Sequence, residues 1–353
     1  MIWLQRHIRP EQIRELSLLL LIVAAVLIFG SLIDGYYTSR TFVRISTSVA
    51  VIAVVAVGQT LVVLTRNIDL SVGSIVGCSA YAVGTLIGHD KGMAAPVVVA
   101  ICIGIGAGLG ALNGLLVTWG GVPSIITTLG TLAIYRGTLI DYSGAKTVTT
   151  DSLPGWLVDL PRLNFLVVGG LDVRVLVAVA VGVVVLFQVA TIYLNVGRTF
   201  YAIGSNPDAA KLIGLPIRRT IFAAFVLSGA LAGLAGFMTL ARFGNITVEA
   251  GRGLELQVVA AVVVGGVNIF GGSGTVTGAL LGAFMIGTLE QSLFRLQISE
   301  FWRDALLGLL ILLAVASDAV ILNRLRALWA KAELKLVRPP AGEAPLRRAL
   351  RDP

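Results

Sequence analysis

Long apolar segments alternate with short polar connections along most of the chain. The apolar segments are about 18–24 residues long, the length at which an α-helix crosses the hydrocarbon core of a bilayer. Backbone groups in lipid must be bonded within the protein, so spans are helices or closed barrels, and barrel strands would be alternating segments of about ten residues. The pattern therefore predicts an all-α polytopic membrane protein with about ten transmembrane helices. The predicted spans are about Leu16–Ile33, Ile45–Thr65, Ser71–Gly88, Ala95–Trp119, Val122–Ile140, Val173–Leu194, Thr220–Phe243, Leu256–Phe270, Thr275–Phe294 and Ala305–Leu322.

One polar stretch, NPDAAKLIGLPIRR at 206–219, stands out between the sixth and seventh predicted spans. Asn206 is a favourable helix N-cap, Pro207 suits the first helical position, and Asp208 complements the positive end of a helix. Gly214 can end the helix in a left-handed conformation, and Pro216 prevents it from restarting. The stretch predicts a capped helix of about two turns. Such a helix between two spans is a candidate contact for a partner protein, and the alternative is an ordinary connecting loop.

Composition agrees with the membrane class. The chain has 353 residues, of which 56% are hydrophobic and 13% are charged, with a mean hydropathy of +0.91. A soluble domain carries about 25% charged residues. We therefore expect one transmembrane domain over 1–353, with its spans within about 16–322, a polar loop at 195–219 and a basic tail at 323–353.

The distribution of positive charge predicts the orientation. With both termini cytoplasmic, sixteen of the 27 Lys and Arg residues lie on the cytoplasmic side, half of them in the tail. Because basic residues beside spans face the cytoplasm and contact anionic lipid, this orientation is favoured, and it places 195–219 in the cytoplasm. The tail lacks the interleaved aromatic residues of a nucleic-acid site, so the net charge of +8 does not indicate nucleic acid.

Glycines recur at four-residue spacing within several predicted spans. Small residues at this spacing let helix backbones approach closely, so we expect these positions to be packing seams. The glycines concerned are Gly106, Gly110 and Gly114, then Gly229 and Gly233, then Gly274, Gly278 and Gly282. The span Leu256–Phe270 is short and runs into Gly-rich sequence, so it is predicted to be partly broken.

Motifs for catalysis are missing from the sequence. The run GGSGTVTG at 271–278 has no nearby lysine, which a nucleotide-binding Walker loop requires after its last glycine. Cys78 and Cys102 both fall in apolar segments and form no disulfide framework or metal set. We expect no enzyme activity, no cofactor and no metal, so any ATPase must be a separate subunit. Ionisable residues within spans are scarce, and Glu290 and Arg136 are expected to be interfacial or paired structural residues.

Neutral polar groups are the candidates for contact with a solute. Thr127, Thr128, Thr131 and Tyr135 follow one another along a single predicted span. Hydroxyl groups can hydrogen-bond a neutral polyol without the cost of a buried charge, so these four residues are candidates for the substrate pathway. The alternative is that they bond neighbouring helices to one another.

Four separated motifs resemble one transporter family. They are GQTLVVLTRNIDLSVGSIVG at 58–77, GGVPSIITTLGTLAIYRG at 120–137, NVGRTFYAIGSNPDAAKLIGLPIRRTIFAAFVLSGALAGLAG at 195–236 and VGGVNIFGGSGTVTGALLGA at 264–283. Over about residues 45–320 the chain resembles the permease subunit of bacterial ABC importers for monosaccharides of the ribose, xylose and rhamnose type. In the first of these motifs, Asn67, Asp69 and Ser71 are interpreted as the cap and turn that open the third span.

The resemblance implies a set of partners and a role for the capped helix. The expected partners are a second permease copy or a sister permease, a cytoplasmic ATPase and a periplasmic sugar-binding protein, with the permease in the bacterial inner membrane. The short cytoplasmic helix is implied to be the element that couples the permease to the ATPase. That role falls on Asn206, Pro207, Asp208, Ala209, Ala210, Lys211, Gly214, Leu215 and Pro216.

The substrate is less well defined by the sequence. The loop GAKTVTTDSLPGWLVDLP at 144–161 is most similar to permeases assigned to rhamnose, which makes rhamnose the expected sugar. Ribose, xylose, galactose and the quorum-sensing furanosyl sugar stay open. The alternative class is a secondary transporter or facilitator of a small polar solute that works without an ATPase.

Overall fold

The computed structural model describes residues 10–299, 301–302, 304–309 and 312, with side chains from residue 14 onward except that of residue 168. The chain divides into two compact units, 1–311 and 312–353, and only Leu312 of the second is described. The basic tail and most of the predicted tenth span therefore lie outside the described residues, and a single domain over the whole chain stays a prediction.

The described chain is helical almost throughout. In order, its elements are α1 Pro10–Leu32, α2 Ser39–Leu64, α3 Val72–His89, α4 Ala95–Thr118, α5 Ser124–Ser143, α6 Gly155–Asp159, β1 Asn164–Val168, β2 Leu171–Arg174, α7 Val175–Tyr193, α8 Asn195–Ser205, α9 Pro207–Leu212, α10 Ile217–Phe243, α11 Leu254–Val264 and α12 Val276–Arg295. Short 3₁₀ turns at Thr150–Ser152 and Leu160–Arg162 flank α6.

Among the described residues, seven helices are long and apolar enough to cross a membrane: α1 from Arg14 onward, α2, α3, α4, α7, α10 and α12. The helix α5 has 20 residues but a less apolar sequence, and α11 has only 11 residues. Since a rise of about 1.5 Å per residue gives α11 a length of roughly 16 Å, it cannot cross the bilayer alone. The predicted break in this region is confirmed, because the helix ends at Val264 and 265–275 is not helical. The full count of ten spans stays a prediction.

The helix α2 forms the centre of the bundle. Every residue from Ser46 to Leu64 is buried, and the helix packs against α7, α10, α11 and α12. In contrast, α1, α4 and α7 expose many large apolar side chains. A helix that is apolar all round and buried belongs in the interior, while helices with exposed apolar faces lie at the periphery, where lipid or another membrane protein covers them.

The predicted glycine seams are confirmed except at Gly274, which precedes α12 and lies outside a helix. The most extensive helix–helix contact joins α4 and α10, and a Cβ atom added at Gly106 or Gly110 would overlap backbone of Gly229 and Phe225 on α10. In α12, Cβ atoms added at Gly278 and Gly282 would overlap carbonyl oxygens at Gly265 and Ala261. Glycine is therefore required at these positions because two backbones meet there.

The helix α7 separates two structurally distinct ends of the molecule. The antiparallel hairpin β1–β2 leads directly into its first residue, and α8 and α9 follow its last. The hairpin exposes Phe165 and Leu166. Because α7 is long enough to span, the hairpin and α9 lie at opposite ends of it.

Candidate functional site

The stretch 206–219 forms the capped helix that its sequence predicts. The Asn206 side-chain oxygen accepts a hydrogen bond from the backbone N–H of Ala209 at 3.0 Å, and Pro207 begins α9. After the helix, Gly214 adopts a left-handed φ of 76°, and its N–H donates to the carbonyl of Lys211. The helix has six residues, so it is slightly shorter than two turns.

The surface of α9 carries an unexpected apolar pair. Leu212 is 88% exposed and Ile213 is 73% exposed. Ala210 is the residue of this helix that packs inward. A short, rigid helix that presents two aliphatic side chains outward has the form of a docking element for a protein partner.

A second helix, α8, anchors α9 to the bundle. This helix of 11 residues lies within 195–219, which the sequence pattern predicts to be one polar loop. Its buried face consists of Gly197, Phe200, Ile203 and Gly204, and the hydroxyl of Tyr201 donates to the Gly274 carbonyl at 3.0 Å. The alternation of these positions with polar residues at helical spacing is a pattern from which the helix could have been found.

The 65–71 loop, which joins α2 to α3, returns into the bundle. Asp69 is completely buried, and its carboxylate accepts hydrogen bonds from the N–H and hydroxyl of Ser71 at 3.0 and 2.7 Å. The other carboxylate oxygen accepts from Ser228 at 3.4 Å, near the middle of α10. The loop therefore reaches the middle depth of a neighbouring span, where an unbonded carboxylate would be costly.

Two buried amides complete this polar network. Asn113 on α4 donates to the Ser71 hydroxyl at 2.7 Å. With its amide oriented to satisfy both partners, the Gln59 side chain of α2 donates to the Asp69 carbonyl at 3.0 Å and accepts from the Asp69 N–H at 3.2 Å. The 65–71 loop is thus bonded to α2, α4 and α10 at once. The sequence does not predict that Gln59 and Asn113 meet, since their proximity arises from the tertiary fold.

The interpretation of Asn67, Asp69 and Ser71 needs a correction. Ser71 does occupy the N-cap position of α3, but its side chain makes no capping hydrogen bond there. Its hydroxyl instead bonds Asp69 and Asn113. Asp69 forms the turn that sequence analysis expected, by accepting from the Ser71 N–H, and Asn67 donates to the Thr65 carbonyl at 2.9 Å. The residues therefore connect helices as well as opening one.

The structure places the four candidate pathway residues on the buried face of α5. Thr128 donates to the carbonyls of Ser124 and Ile68, and Tyr135 donates to the Leu109 carbonyl at 2.9 Å. Thr131 bonds only weakly, to Thr128 at 3.4 Å. Within the described part of the chain, the buried Thr127 hydroxyl has no hydrogen-bond partner. Three of the four hydroxyls are thus bonded within the protein, as the helix-packing alternative expects, and Thr127 differs from them.

Arg136 and Glu290, the two ionisable residues that the sequence places near the ends of predicted spans, are hydrogen-bonded in the structure. Arg136 donates from one terminal nitrogen to the carbonyls of Val248 and Ala250, both at 2.8 Å. Glu290 accepts from the amide of Gln257 at 3.4 Å. Arg136 thereby fixes the connection between α10 and α11 against α5. Across the described residues, no group of three or more His, Cys, Asp or Glu side chains could hold a metal ion.

Loss of the Asn206 cap should loosen α9 locally. In Asn206→Ala, the N–H of Ala209 loses its acceptor, which costs about 1 kcal/mol for a typical N-cap. We expect the backbone amides of α9 to exchange with solvent roughly fivefold faster, measured by hydrogen–deuterium exchange on the detergent-solubilised protein. Amides of α10 serve as the internal control. Equal exchange in both proteins would show that the cap does not hold the helix.

These features define a polytopic membrane protein with a short capped helix at one end. A family model described as the branched-chain amino acid transport system / permease component matches residues 41–315. The chain belongs to this family, and its predicted resemblance to the permease subunits of ABC importers is confirmed. It is a permease subunit and not an enzyme, and ATP hydrolysis belongs to a separate subunit.

Individual relatives agree with the family. The chain is 38% identical over 305 residues to the autoinducer 2 import system permease protein LsrC of Enterobacter sp. strain 638. The aligned residues cover 86% of each chain. It is 38% identical over 305 residues to the LsrC protein of Klebsiella pneumoniae, again over 86% of each chain. It is 36% identical over 308 residues to the LsrC protein of Yersinia enterocolitica, over 86% of this chain and 82% of the relative. No solved structure matches the chain.

Proposed function

We propose that the chain is the permease of an ATP-driven importer that carries a neutral monosaccharide, or a small polyol like it, across the bacterial inner membrane. The observation that carries this proposal is α9, a capped helix that projects Leu212 and Ile213 from the end of α7 and α8. An ATPase needs such a rigid contact to move the spans. A facilitator has no need of one.

The proposal assigns sides to the two ends of the molecule. The end that carries α9 faces the cytoplasm and binds the ATPase, with Asn206 to Lys211 forming the helix and Gly214 to Pro216 ending it. The end that carries the β1–β2 hairpin faces the periplasm, where a binding protein delivers the sugar. Both termini are cytoplasmic in this orientation, and a second permease copy or a sister permease completes the pathway.

The proposal also names a substrate to test first. Rhamnose was expected from the loop at 144–161, whereas the relatives reported above are named for import of autoinducer 2. The comparisons give rhamnose and ribose no support. We therefore propose autoinducer 2 as the first substrate to test, within the class of small neutral polyols that hydroxyl and amide groups recognise without a buried charge.

Uptake in cells distinguishes these substrates. Cells with and without the gene are given labelled autoinducer 2, rhamnose, ribose and xylose separately, each at low concentration. We expect loss of the gene to abolish uptake of one compound, with autoinducer 2 expected first. Loss of rhamnose uptake with normal autoinducer 2 uptake would overturn the proposed substrate but not the class. Unchanged uptake of all four compounds would overturn autoinducer 2 as the proposed substrate.

The unpartnered hydroxyl of Thr127 predicts a measurable role on the substrate path. We propose that Thr127 offers this hydroxyl to the sugar, while Thr128, Thr131 and Tyr135 would first have to exchange their internal bonds. The near-isosteric Thr127→Val should raise KM for uptake roughly five- to tenfold, as expected for one hydrogen bond of about 1 kcal/mol, with normal protein levels. Thr128→Val is the matched control, and it should lower thermal stability with KM unchanged. An unchanged KM in Thr127→Val would assign all four residues to helix packing.

A further inference from the structure

The end of α2 meets the end of α8 through direct backbone contact. The Leu64 carbonyl accepts a hydrogen bond from the N–H of Gly272 at 3.1 Å. A Cβ atom added at Gly204 would overlap the same carbonyl, and one added at Gly272 would lie 2.5 Å from the Ser205 nitrogen. Three segments that are distant in sequence therefore touch here without side chains between them, so displacement of one must move the others.

Arg66 holds this junction from the 65–71 loop. Its Nε donates to the Gly204 carbonyl at 2.6 Å, and one of its terminal nitrogens donates to the Ser205 carbonyl at 2.9 Å. These carbonyls lie at the end of α8, where a cation is also favoured by the helix dipole. The next residue, Asn206, caps α9. Arg66 is thus hydrogen-bonded to the α8–α9 joint, which we define as residues 204–206.

The backbone conformation of Arg66 belongs to the end of α2 and directs its side chain toward the junction. Arg66 adopts a left-handed φ of 66°, which is uncommon for a residue other than glycine. Its side-chain stem passes against Gly271, where an added Cβ would lie 2.5 Å from the Arg66 Cγ. This left-handed conformation ends α2 in a Schellman motif, in which the N–H groups of Arg66 and Asn67 donate to the carbonyls of Val63 and Val62 at 2.9 and 3.2 Å, and it sets the direction in which the Arg66 side chain leaves the helix.

The other end of the loop is fixed in the membrane interior. Three residues beyond Arg66, Asp69 is bonded to Ser71 and Ser228, and Ser71 in turn to Asn113. A short segment of fixed conformation therefore runs from the α8–α9 joint to α4 and α10. These are the two helices that share the glycine seam.

We propose that Arg66 is a positioning residue that transmits movement of the α8–α9 joint, through the 65–71 loop, to α4 and α10. The inference rests on the proposed function, since it takes α9 as the helix that an ATPase moves. Arg66 does not touch the ATPase or the substrate in this role. It fixes the geometry by which displacement of α9 reaches the polar network around Asp69.

The test uses the complete importer, with its ATPase and binding protein, in proteoliposomes. In Arg66→Ala, we expect the ATPase to copurify normally and to hydrolyse ATP, while substrate transported per ATP falls roughly tenfold with the loss of two charge-assisted hydrogen bonds. Arg66→Lys keeps the charge but lacks the guanidinium that donates to two carbonyls at once, so we expect an intermediate loss of substrate transported per ATP. A merely structural role would reduce the amount of assembled complex and leave substrate per ATP unchanged.

Arg198 provides the matched control. It is an exposed arginine of α8 that donates to the Ile192 carbonyl close to it in the chain, so Arg198→Ala should leave substrate per ATP within twofold. A normal ratio in Arg66→Ala, alongside loss of ATPase binding when Leu212 and Ile213 are both replaced by Glu, would overturn this inference and leave the proposed function intact. If the α9 double variant also binds the ATPase and transports normally, the proposed role of α9 as the ATPase contact is wrong as well.

Discussion

Replacing Leu212 and Ile213 together with Glu is expected to abolish ATPase binding while the permease still folds and inserts. Both side chains project from the end of α9 and are 88% and 73% exposed, so their replacement removes no internal packing. In the assembled importer they would be buried against the ATPase, where each aliphatic side chain contributes about 1.5 kcal/mol or more. The expected loss of affinity is therefore roughly 100-fold or greater, measured by copurification and by uptake in the same cells.

The hairpin at the opposite end of α7 supplies the control for this variant. Phe165 and Leu166 are also exposed, and replacing both with Glu introduces the same charges on the side that the proposal assigns to the periplasm. Copurification of the ATPase should be normal in that control. Normal ATPase binding by the α9 variant, or equal loss in both variants, would contradict the assignment of α9 as the docking helix.

The second large effect is expected at the glycine seam between α4 and α10. In Gly106→Val, the new side chain would overlap the carbonyl of Gly229, and a helix backbone cannot yield as a flexible side chain can. Overpacking of a tight core costs about 1–3 kcal/mol, and separation of two helices along a seam places this variant at or above the upper end. We expect a lower melting temperature in detergent, a smaller yield of monodisperse protein and loss of uptake.

The same helix carries its own control. A Cβ atom added at Gly104 or Gly108 meets nothing within 4 Å among the described residues. Gly108→Val changes the same residue type two positions away, and it should leave the melting temperature nearly unchanged. Equal destabilisation by the two substitutions would mean that intrinsic helix propensity, rather than the contact with α10, determines the role of these glycines.

The sequence predicts elements whose cause is local. The cap of α9 follows from the order of Asn206, Pro207 and Gly214, and each has the predicted role in the structure. The glycine seams follow from spacing within one helix, and both were found as expected. Most span positions follow from hydropathy, since length and apolar character are properties of a continuous segment.

Features that depend on distant segments could not be predicted in the same way. Arg66 is bonded to Gly204 and Ser205, which are 138 and 139 residues away, and only the fold brings them together. The network around Asp69 likewise joins residues of α2, α4 and α10. The span formed in part by α11 is ambiguous for another reason, because its apolar run continues past the point where 265–275 leaves the helix.

The pathway residues show why composition alone misleads about function. Thr127, Thr128, Thr131 and Tyr135 have the chemistry of a polyol site, yet hydroxyls with that chemistry also satisfy backbone carbonyls at close helix contacts. Tyr135 bonds the Leu109 carbonyl of α4 in this way, and Thr128 bonds the Ser124 carbonyl one turn earlier in its own helix. Only the contacts around each hydroxyl single out Thr127 as the residue to test first.

Transport in proteoliposomes tests the central claim most directly. The permease is reconstituted alone, with its ATPase, and with both its ATPase and its binding protein. Accumulation of labelled autoinducer 2 or sugar is then measured with and without ATP, which is supplied on the side of the membrane where the ATPase binds. The proposed importer predicts accumulation only when all components and ATP are present, and none with the Leu212→Glu, Ile213→Glu variant. Equal uptake by the permease alone without ATP would contradict the importer and establish a facilitator instead.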